Sequence, residues 1–484
     1  MSANTINSNI FRAYDIRGIY PETLAEPDAY AIGQALALQL YSRNHDSGEG
    51  RNYPQKIVVA RDSRLSSPHL HKALVAGIVD TGTDVIDIGE ATTPMLYFAS
   101  VHWAVHSGIM ITGSHNPANY NGFKITLAGE PLANEAITKI YQDILNNQAN
   151  GLPKSFAKHP KGNLSYRDVH DDYLQAIMEK IKLPDQRNPA NQLTIAIDAG
   201  NGIAGPITKA LLSRWGCKTI DLYCEPDGNF PNHHPDPSKP ENLKDLVQAV
   251  ATHKADIGLA FDGDGDRLGV ITDQGELIFP DHLLMLFAKY LLQDRPGSHI
   301  IFDVKCTDLL AQQIKAWGGK AEYYKTGHSL IKKYLKKTGA LFAGEMSGHI
   351  FFADRWYGFD DALYSAARLL EILANDKQTV SNLLAEFPQR VSTPEINIAV
   401  DEDEKFSLIE KLAEDPTLNQ AGEAIKIDGI RINTPQSWGL VRASNTTPVL
   451  VLRFEATDQD ELTRIKKLFR DALVRAKADI EICF

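Results

Sequence analysis

The run Asp262-Gly263-Asp264-Gly265-Asp266-Arg267 sets three carboxylates at alternate positions. Charges so close repel one another unless they are solvated or share a cation, and carboxylate oxygens suit a hard divalent ion. An EF-hand calcium loop wants Gly at its sixth position and Glu at its twelfth; Arg267 and Asp273 stand there, so that reading fails. Three short ligands leave room for a phosphoryl oxygen, which points to magnesium at phosphate chemistry. The plain alternative is a solvated acidic turn, but the run directly follows the apolar segment IGLAF.

A second polar loop, TGSHNP, places Ser114 after the apolar stretch GIMI, with Gly113 before it and His115, Asn116 and Pro117 after it. Gly113 permits close backbone approach and Pro117 stops the strand. A serine hydroxyl so displayed becomes a nucleophile when a base or a cation assists it. Taken alone, SHNP reads as readily as a turn bonded to its own backbone. In GEMSGH, Glu345, Ser347 and His349 offer donors and acceptors suited to sugar hydroxyls. In RASNTTP, Arg442, Ser444, Asn445 and Thr446 have the chemistry of a phosphate clamp. Either stretch alone also fits an exposed turn. Lys305 and His328 each follow an expected strand, while Trp317, Trp438, Phe351 and Phe352 are expected in the core.

The elements that must carry these loops repeat. Strands KIVVARD, DVIDIGE and GIMITGS alternate with helical stretches; LTIAID, KTIDLY and IGLAF do so again from residue 193, and HIIFDVK, AEYYKTG and ALFAG from residue 299. Strands alternating with helices imply mainly parallel sheets, whose ligands bind beyond the carboxyl ends of the strands. The tail, with EINIAV, AIKIDGIRIN, WGLVRAS, VLVLRFEA and a last helix, is α+β. The expected domains are residues 1–159, 160–276, 277–390 and 391–484, with a polar linker near 150–165.

At 484 residues several domains are expected, and 50 Lys+Arg against 61 Asp+Glu, a net charge of −11, disfavours nucleic acid or an anionic membrane as partner. Cys217, Cys224, Cys306 and Cys483 form no CxxC pair, which argues against structural zinc or a disulfide framework and fits a reducing cytoplasm. No signal peptide and no apolar run of about 18 residues is present, so no anchoring or export is expected. A monomer is expected.

Together and in this order, TGSHNP, DGDGDR, GEMSGH and RASNTTP, with FRAYDIRG near the start, resemble the α-D-phosphohexomutase family, and within it the bacterial phosphomannomutase/phosphoglucomutase branch. The resemblance implies four domains, three related α/β mixed-sheet domains and a smaller α+β C-terminal one, around a central cleft. It implies a mutase that moves phosphate between hexose 6-phosphate and hexose 1-phosphate through phospho-Ser114 and a hexose 1,6-bisphosphate. Mg2+ would be held by Ser114, Asp262, Asp264 and Asp266. Glu345, Ser347 and His349 would bind the sugar, and Arg442, Ser444, Asn445 and Thr446 the far phosphate. Tyr14, Arg17, His115, Asn116, Lys124, Arg267, Lys305 and His328 also match cleft positions. Lys124 and His328 are unranked candidates for proton transfer or charge stabilisation. The C-terminal domain is expected to move as a lid. Phosphoglucosamine mutase is the alternative within the family, though Met346 stands where that branch carries Gln. A haloacid-dehalogenase-type phosphatase would need a DxDxT motif, and Arg267 follows Asp266 instead.

Overall fold

The computed structural model describes residues 6–46, 53–153, 160–188, 191–445, 447–482 and 484. The chain forms two compact units: Met1–Phe279 with His328–Thr338 and Ser347–Ser381, and Pro280–Gly327 with Gly339–Met346 and Asn382–Phe484. The third sequence repeat is therefore divided, its helix His328–Thr338 belonging to the first unit and its strands His299–Asp303, Lys320–Tyr324 and Phe342–Gly344 to the second.

In the first unit, one sheet runs in the order Ile16–Ile19, Tyr120–Leu127, Gly108–Ile111, Lys56–Arg61, Asp84–Glu90, Leu164–Tyr166. Lys56–Arg61 lies parallel to both its neighbours, whereas Tyr120–Leu127 is antiparallel to Gly108–Ile111 and to Ile16–Ile19. A second sheet runs Leu277–Ile278, Leu268–Thr272, Ile257–Phe261, Thr194–Asp198, Lys218–Leu222. Its middle strands are parallel, but Ile257–Phe261 and Leu268–Thr272 form an antiparallel pair in which Phe261 faces Leu268. The expectation of mainly parallel sheets is corrected at both functional loops. Each links neighbouring strands by a connection too short for a helical crossover, so each is the turn of an antiparallel pair.

Helices Glu26–Asp46 and Ser67–Val79 bury Ile32, Leu36, Leu70 and Leu74 against the first sheet. They approach backbone to backbone: a Cβ on Gly33 would lie 2.4 Å from the Leu74 carbonyl oxygen, and one on Gly77 2.1 Å from that of Tyr30. Only glycine permits such contact.

In the second unit, His299–Asp303 pairs in parallel with Lys320–Tyr324 and Phe342–Gly344. The tail is an antiparallel sheet, Val391–Ser392, Val449–Ala456, Ser437–Ala443, Ile430–Asn433, Glu423–Ile425, covered by helix Gln459–Ala476. Trp438, Phe351 and Phe352 are core residues as expected, whereas Trp317 is only half-buried. Cys217, Cys224 and Cys306 are free thiols; Cys483 lies outside the described residues, as do part of the expected linker and Thr446. Among the described residues no helix is long and apolar enough to cross a membrane.

Candidate active site

The Ser114 loop is moulded around Arg64, a buried residue that nothing in the loop's own sequence announces. Its guanidinium donates to the carbonyl oxygens of Ser114 (2.6 Å), Asn116 (2.7 Å), Pro117 (2.5 Å) and Tyr120 (3.0 Å), and its Nε to Asp62 Oδ2 (3.2 Å). A Cβ on Gly113 would fall 2.5 Å from Arg64 Cζ, which explains the glycine. Asp62 accepts from Thr112 Oγ1 at 2.7 Å, and Thr112 Oγ1 from the Ser114 N–H at 2.7 Å. Ser114 itself is held at φ 49°, a left-handed conformation unusual for a residue with a side chain. The Asn116 amide is turned back on the loop, donating to the Gly113 carbonyl at 3.1 Å.

The acidic turn presses on this loop. Gly263 lies so close that a Cβ there would sit 2.4 Å from the Ser114 carbonyl oxygen. Asp262 Oδ1 accepts the backbone N–H groups of Gly265, Asp266 and Arg267 at 3.0, 3.0 and 3.1 Å, and its Oδ2 accepts from Ser114 Oγ at 3.0 Å. Lys124 donates to Asp264 Oδ2 at 2.6 Å and to Asp266 Oδ2, while Thr93 Oγ1 also donates to Asp264. The opposite oxygens, Asp264 Oδ1 and Asp266 Oδ1, are buried without a hydrogen bond. The three carboxylates offer ligand atoms within 4.8 Å of one another. An all-oxygen set with two unpartnered oxygens fits a hard divalent cation.

Burial, then the charges of Asp266 and Asp264, holds the Asp262 carboxyl well above the usual range. Burial also pushes Asp266 up, but Lys124 and His349 outweigh it and hold that group well below. For Lys124 burial favours the neutral amine; Asp264, Asp266 and Asp262 overcome this and keep it an ammonium.

Beside the triad, His115 Nδ1 stands 3.2 Å from Ser114 Oγ, and burial with Arg267, Arg17 and Lys124 keeps this ring neutral. His349 Nε2 accepts from Arg267 Nε at 3.3 Å, and its Nδ1 meets Ser347 Oγ at 2.9 Å. His328, at the start of helix His328–Thr338, stacks on His349 with ring centres 5.1 Å apart. Burial and then Lys332 lower its basicity. Arg17 is paired with Asp15, and Tyr14 is half-buried. Thus Ser114, His115, Lys124, the three aspartates, Arg267, His328, Ser347 and His349 all belong to the first unit.

Glu345, Lys305, Arg442, Ser444 and Asn445 belong to the second unit. Lys305 Nζ donates to Glu395 Oε1 at 2.7 Å, and Arg442 Nε to Asp428 Oδ2 at 3.0 Å. Glu345 accepts the Gly327 N–H at 2.6 Å, and Ser444 Oγ accepts from Thr447 Oγ1 at 2.8 Å. The basic residues expected to meet phosphate thus each carry a carboxylate partner.

Four phosphoglucomutase/phosphomannomutase models match in order: domain I over residues 8–151, II over 171–275, III over 279–391 and the C-terminal domain over 395–472. The chain belongs to this family. It has the four-domain phosphohexomutase architecture, with mixed α/β sheets in three domains and a distinct C-terminal domain. It is 50% identical over 483 residues to a Pseudomonas aeruginosa phosphomannomutase/phosphoglucomutase, covering 100% of this chain and 99% of that one. A Neisseria gonorrhoeae phosphoglucomutase is 49% identical over 467 residues, covering 96% of this chain and 97% of that one. The crystal structure of a Burkholderia thailandensis phosphoglucomutase/phosphomannomutase family protein shares 45% identity and a TM-score of 0.89, over 99% of this chain and 100% of that one.

Several residues that shape this family site escaped sequence reasoning. Arg64 was legible only as the second arginine of RDSR after a strand, and Lys332 and Asp360 only as ordinary charges in a helix and a loop. Glu395 and Asp428 had no signal, since each is defined by a partner distant in sequence.

Proposed function

We propose that this chain interconverts hexose 6-phosphate and hexose 1-phosphate, with mannose and glucose as its sugars, through phospho-Ser114 and a hexose 1,6-bisphosphate. The coarser statement, that it is a hexose phosphate mutase, follows from its family. The observation that carries the finer reading is the Ser114 hydroxyl, donating at 3.0 Å to Asp262 within a buried acidic group whose remaining charge is balanced by Lys124.

In the first transfer a free sugar hydroxyl forms a bond to the phosphorus of phospho-Ser114 while the bond from phosphorus to Ser114 Oγ breaks. The hydroxyl proton passes to a base, and Ser114 leaves as alkoxide or hydroxyl. After the bisphosphate turns round, Ser114 Oγ gives up its proton and bonds to the other phosphorus while the bond from that phosphorus to the sugar oxygen breaks, and a proton returns to that oxygen as the second hexose phosphate departs. Phosphoryl transfer of this kind depends mainly on positioning and on stabilising charge. Bound magnesium, held by Asp262, Asp264, Asp266 and Ser114 Oγ, would supply positive charge to the phosphoryl oxygens.

Lys124, kept as an ammonium by two carboxylates, suits charge stabilisation better than proton abstraction. His328, whose ring is kept neutral by burial and Lys332, suits the base. His115 and Arg267 flank the serine and the acidic turn as further donors to the transferring group. Tyr14, Arg17 and Asn116 would line the sugar path, and Glu345, Ser347 and His349 would read its hydroxyls. In the second unit an arriving phosphate would take over Lys305 from Glu395 and Arg442 from Asp428, with Ser444, Asn445 and Thr446 completing the clamp.

The test is magnesium-dependent interconversion of mannose 6-phosphate and mannose 1-phosphate, with glucose and glucosamine phosphates in parallel, for native protein and Ser114→Ala. Turnover of both neutral hexoses that collapses in the variant supports the reading. Activity confined to glucosamine phosphate, or release of free phosphate without isomerisation, overturns it.

A further inference from the structure

Residues 223–239 join strand Lys218–Leu222 to the helical turn Pro240–Leu243 without forming a strand or helix of their own. A loop of this length is uncommon inside a compact unit unless it serves a site. This one touches both supports of the serine. At one end Gly228 meets the backbone that presents Arg64: a Cβ on it would lie 2.5 Å from the Ser63 carbonyl oxygen and 2.8 Å from Arg64 Cα. The Phe230 ring then covers the Arg64 guanidinium, with Cζ 5.0 Å from the ring centre. Further along, Pro235 packs on the acidic turn, its Cγ 3.4 Å from where a Cβ on Gly263 would stand. Arg64 grips the Ser114 carbonyl oxygen at 2.6 Å, and Gly263 presses on the same atom.

An ion pair fastens the segment between these two contacts. His233 Nε2 lies 3.1 and 3.0 Å from the two oxygens of Asp198, at the end of strand Thr194–Asp198, and His233 Nδ1 lies 3.0 Å from the His234 carbonyl oxygen. A carboxylate and a carbonyl only accept, so each ring nitrogen needs a hydrogen, and the imidazolium alone meets both. Asp198 is buried, and its Oδ1 also accepts the Gly200 N–H at 2.9 Å. The other groups facing the ring agree in sign. Tyr223 stands edge-on at 5.3 Å and donates its hydroxyl at 2.7 Å to Asp245, which brings a second negative charge from helix Lys244–His253. Burial disfavours the charged ring, but Asp198, the His234 carbonyl and Asp245 outweigh it and raise its basicity above the ordinary histidine value.

The backbone here needs a clasp. Phe230 is held at φ 49°, and Asn201, which accepts from Asn232 of the segment at 2.7 Å, at φ 60°. Left-handed residues with side chains persist only where their surroundings over-determine them.

We propose that His233, clasped to Asp198, is a positioning residue for phosphoryl transfer: it holds Phe230 against Arg64 and Pro235 against Gly263, and thereby fixes Ser114 beside Asp262. The kinetic consequence rests on Ser114 being the group that carries phosphate; the mechanical one does not. Because the folded protein binds the His233 proton more tightly than the unfolded chain, the clasp is complete below about pH 6.5 and is lost as pH rises through the higher folded value.

The test is hydrogen–deuterium exchange of the full-length protein, read in peptides covering residues 112–121 and 227–237, with helix Glu135–Asn150 as internal reference. In native protein, after correction for intrinsic exchange, protection of both segments should fall about tenfold between pH 6 and pH 9 while the helix stays constant. This arm needs no variant to fold. In His233→Gln both segments should already exchange at pH 6 as the native ones do at pH 9. Hexose phosphate turnover adds the kinetic readout: kcat of His233→Gln should lie about tenfold below native at pH 6 and within about twofold at pH 9, with KM within about twofold of native at both. A native-to-variant kcat ratio that stays constant with pH, or a segment 227–237 that loosens while 112–121 keeps its protection, overturns the proposal. Should Ser114→Ala retain full turnover, the reading of Ser114 fails, and the exchange data still decide the clasp.

Discussion

Ser114 Oγ donates to Asp262 Oδ2 at 3.0 Å from a backbone held in the left-handed region, at φ 49°. The candidate nucleophile is thus both aimed at the acidic turn and strained. A non-glycine residue in that region costs on the order of 1 kcal/mol, which a glycine avoids. Ser114→Ala and Ser114→Gly both remove the hydroxyl, and turnover should fall to roughly 10⁻⁴ of native or lower in each. They should differ in stability, with the glycine variant more stable than the alanine variant by about 1 kcal/mol. Equal melting temperatures would show that the surrounding loop bears no strain at this residue.

Lys124 leads to a less ordinary expectation. Lys124→Met removes the counter-charge of two buried carboxylates, and breaking such a group typically costs about 3–5 kcal/mol. The metal-free variant should therefore melt well below native protein. The same carboxylates should attract magnesium more strongly, by about tenfold or more, because the ammonium no longer competes. Turnover should nevertheless drop about 10²–10³-fold, as when one preorganised donor is lost. Calorimetric magnesium titration beside the rate assay separates these effects; weaker magnesium binding would contradict the charge argument.

Arg64→Lys probes how the serine loop is held. A lysine has at most three donors and none of the guanidinium's fork geometry, so at least two of the five acceptors bonded by Arg64 lose their partner. Each unpaired buried carbonyl costs about 1–3 kcal/mol. A destabilisation of about 3 kcal/mol is expected. The loosened loop should lower kcat roughly 10²-fold, with a smaller change in KM, since a misplaced nucleophile affects the transfer more than binding. A fall in KM-linked affinity alone would assign Arg64 to substrate binding instead.

The contrast between Arg64 and Asp262 explains what the sequence can and cannot reveal. Asp262, Asp264 and Asp266 were legible because repulsion among close carboxylates is a local fact, and alternating glycines mark a tight turn. The family motifs likewise lie each within a few residues. The four-domain class and the α+β tail were legible from hydrophobic period. The antiparallel pairing around both loops was missed because strand direction is decided by the length of the connection as well as by the helices nearby. Arg64, Lys332, Asp360 and Glu395 were missed because their roles exist only across long sequence separations, such as Arg64 with Tyr120 or Lys305 with Glu395. The splitting of the third repeat had no local signal, since nothing within HSLIKKYLKKT records that Lys332 will meet Asp360.

Asp361 supplies a pH-dependent stability. It caps helix Ala362–Asp376, accepting the Tyr364 N–H at 2.9 Å, and also accepts from Tyr173 Oη at 2.8 Å and Trp356 Nε1 at 3.0 Å. Burial nonetheless dominates these donors and pushes its carboxyl up to about 7. In the unfolded chain an aspartate titrates near 3.9. Between those values the folded form binds the extra proton, so the group's stabilising contribution is complete below about pH 4 and is lost as pH rises through 7. A shift of this size corresponds to about 4 kcal/mol. Asp361→Asn keeps an acceptor for Tyr364 but carries no titrating proton, and it faces the Trp356 donor less well, at a cost of about 1 kcal/mol. Native protein should therefore be the more stable form at pH 4–5, and the variant should equal or exceed it at pH 8–9. Thermal unfolding across that range checks this: melting curves of native and variant that stay parallel with pH would mean that Asp361 is already ionised in the folded protein throughout.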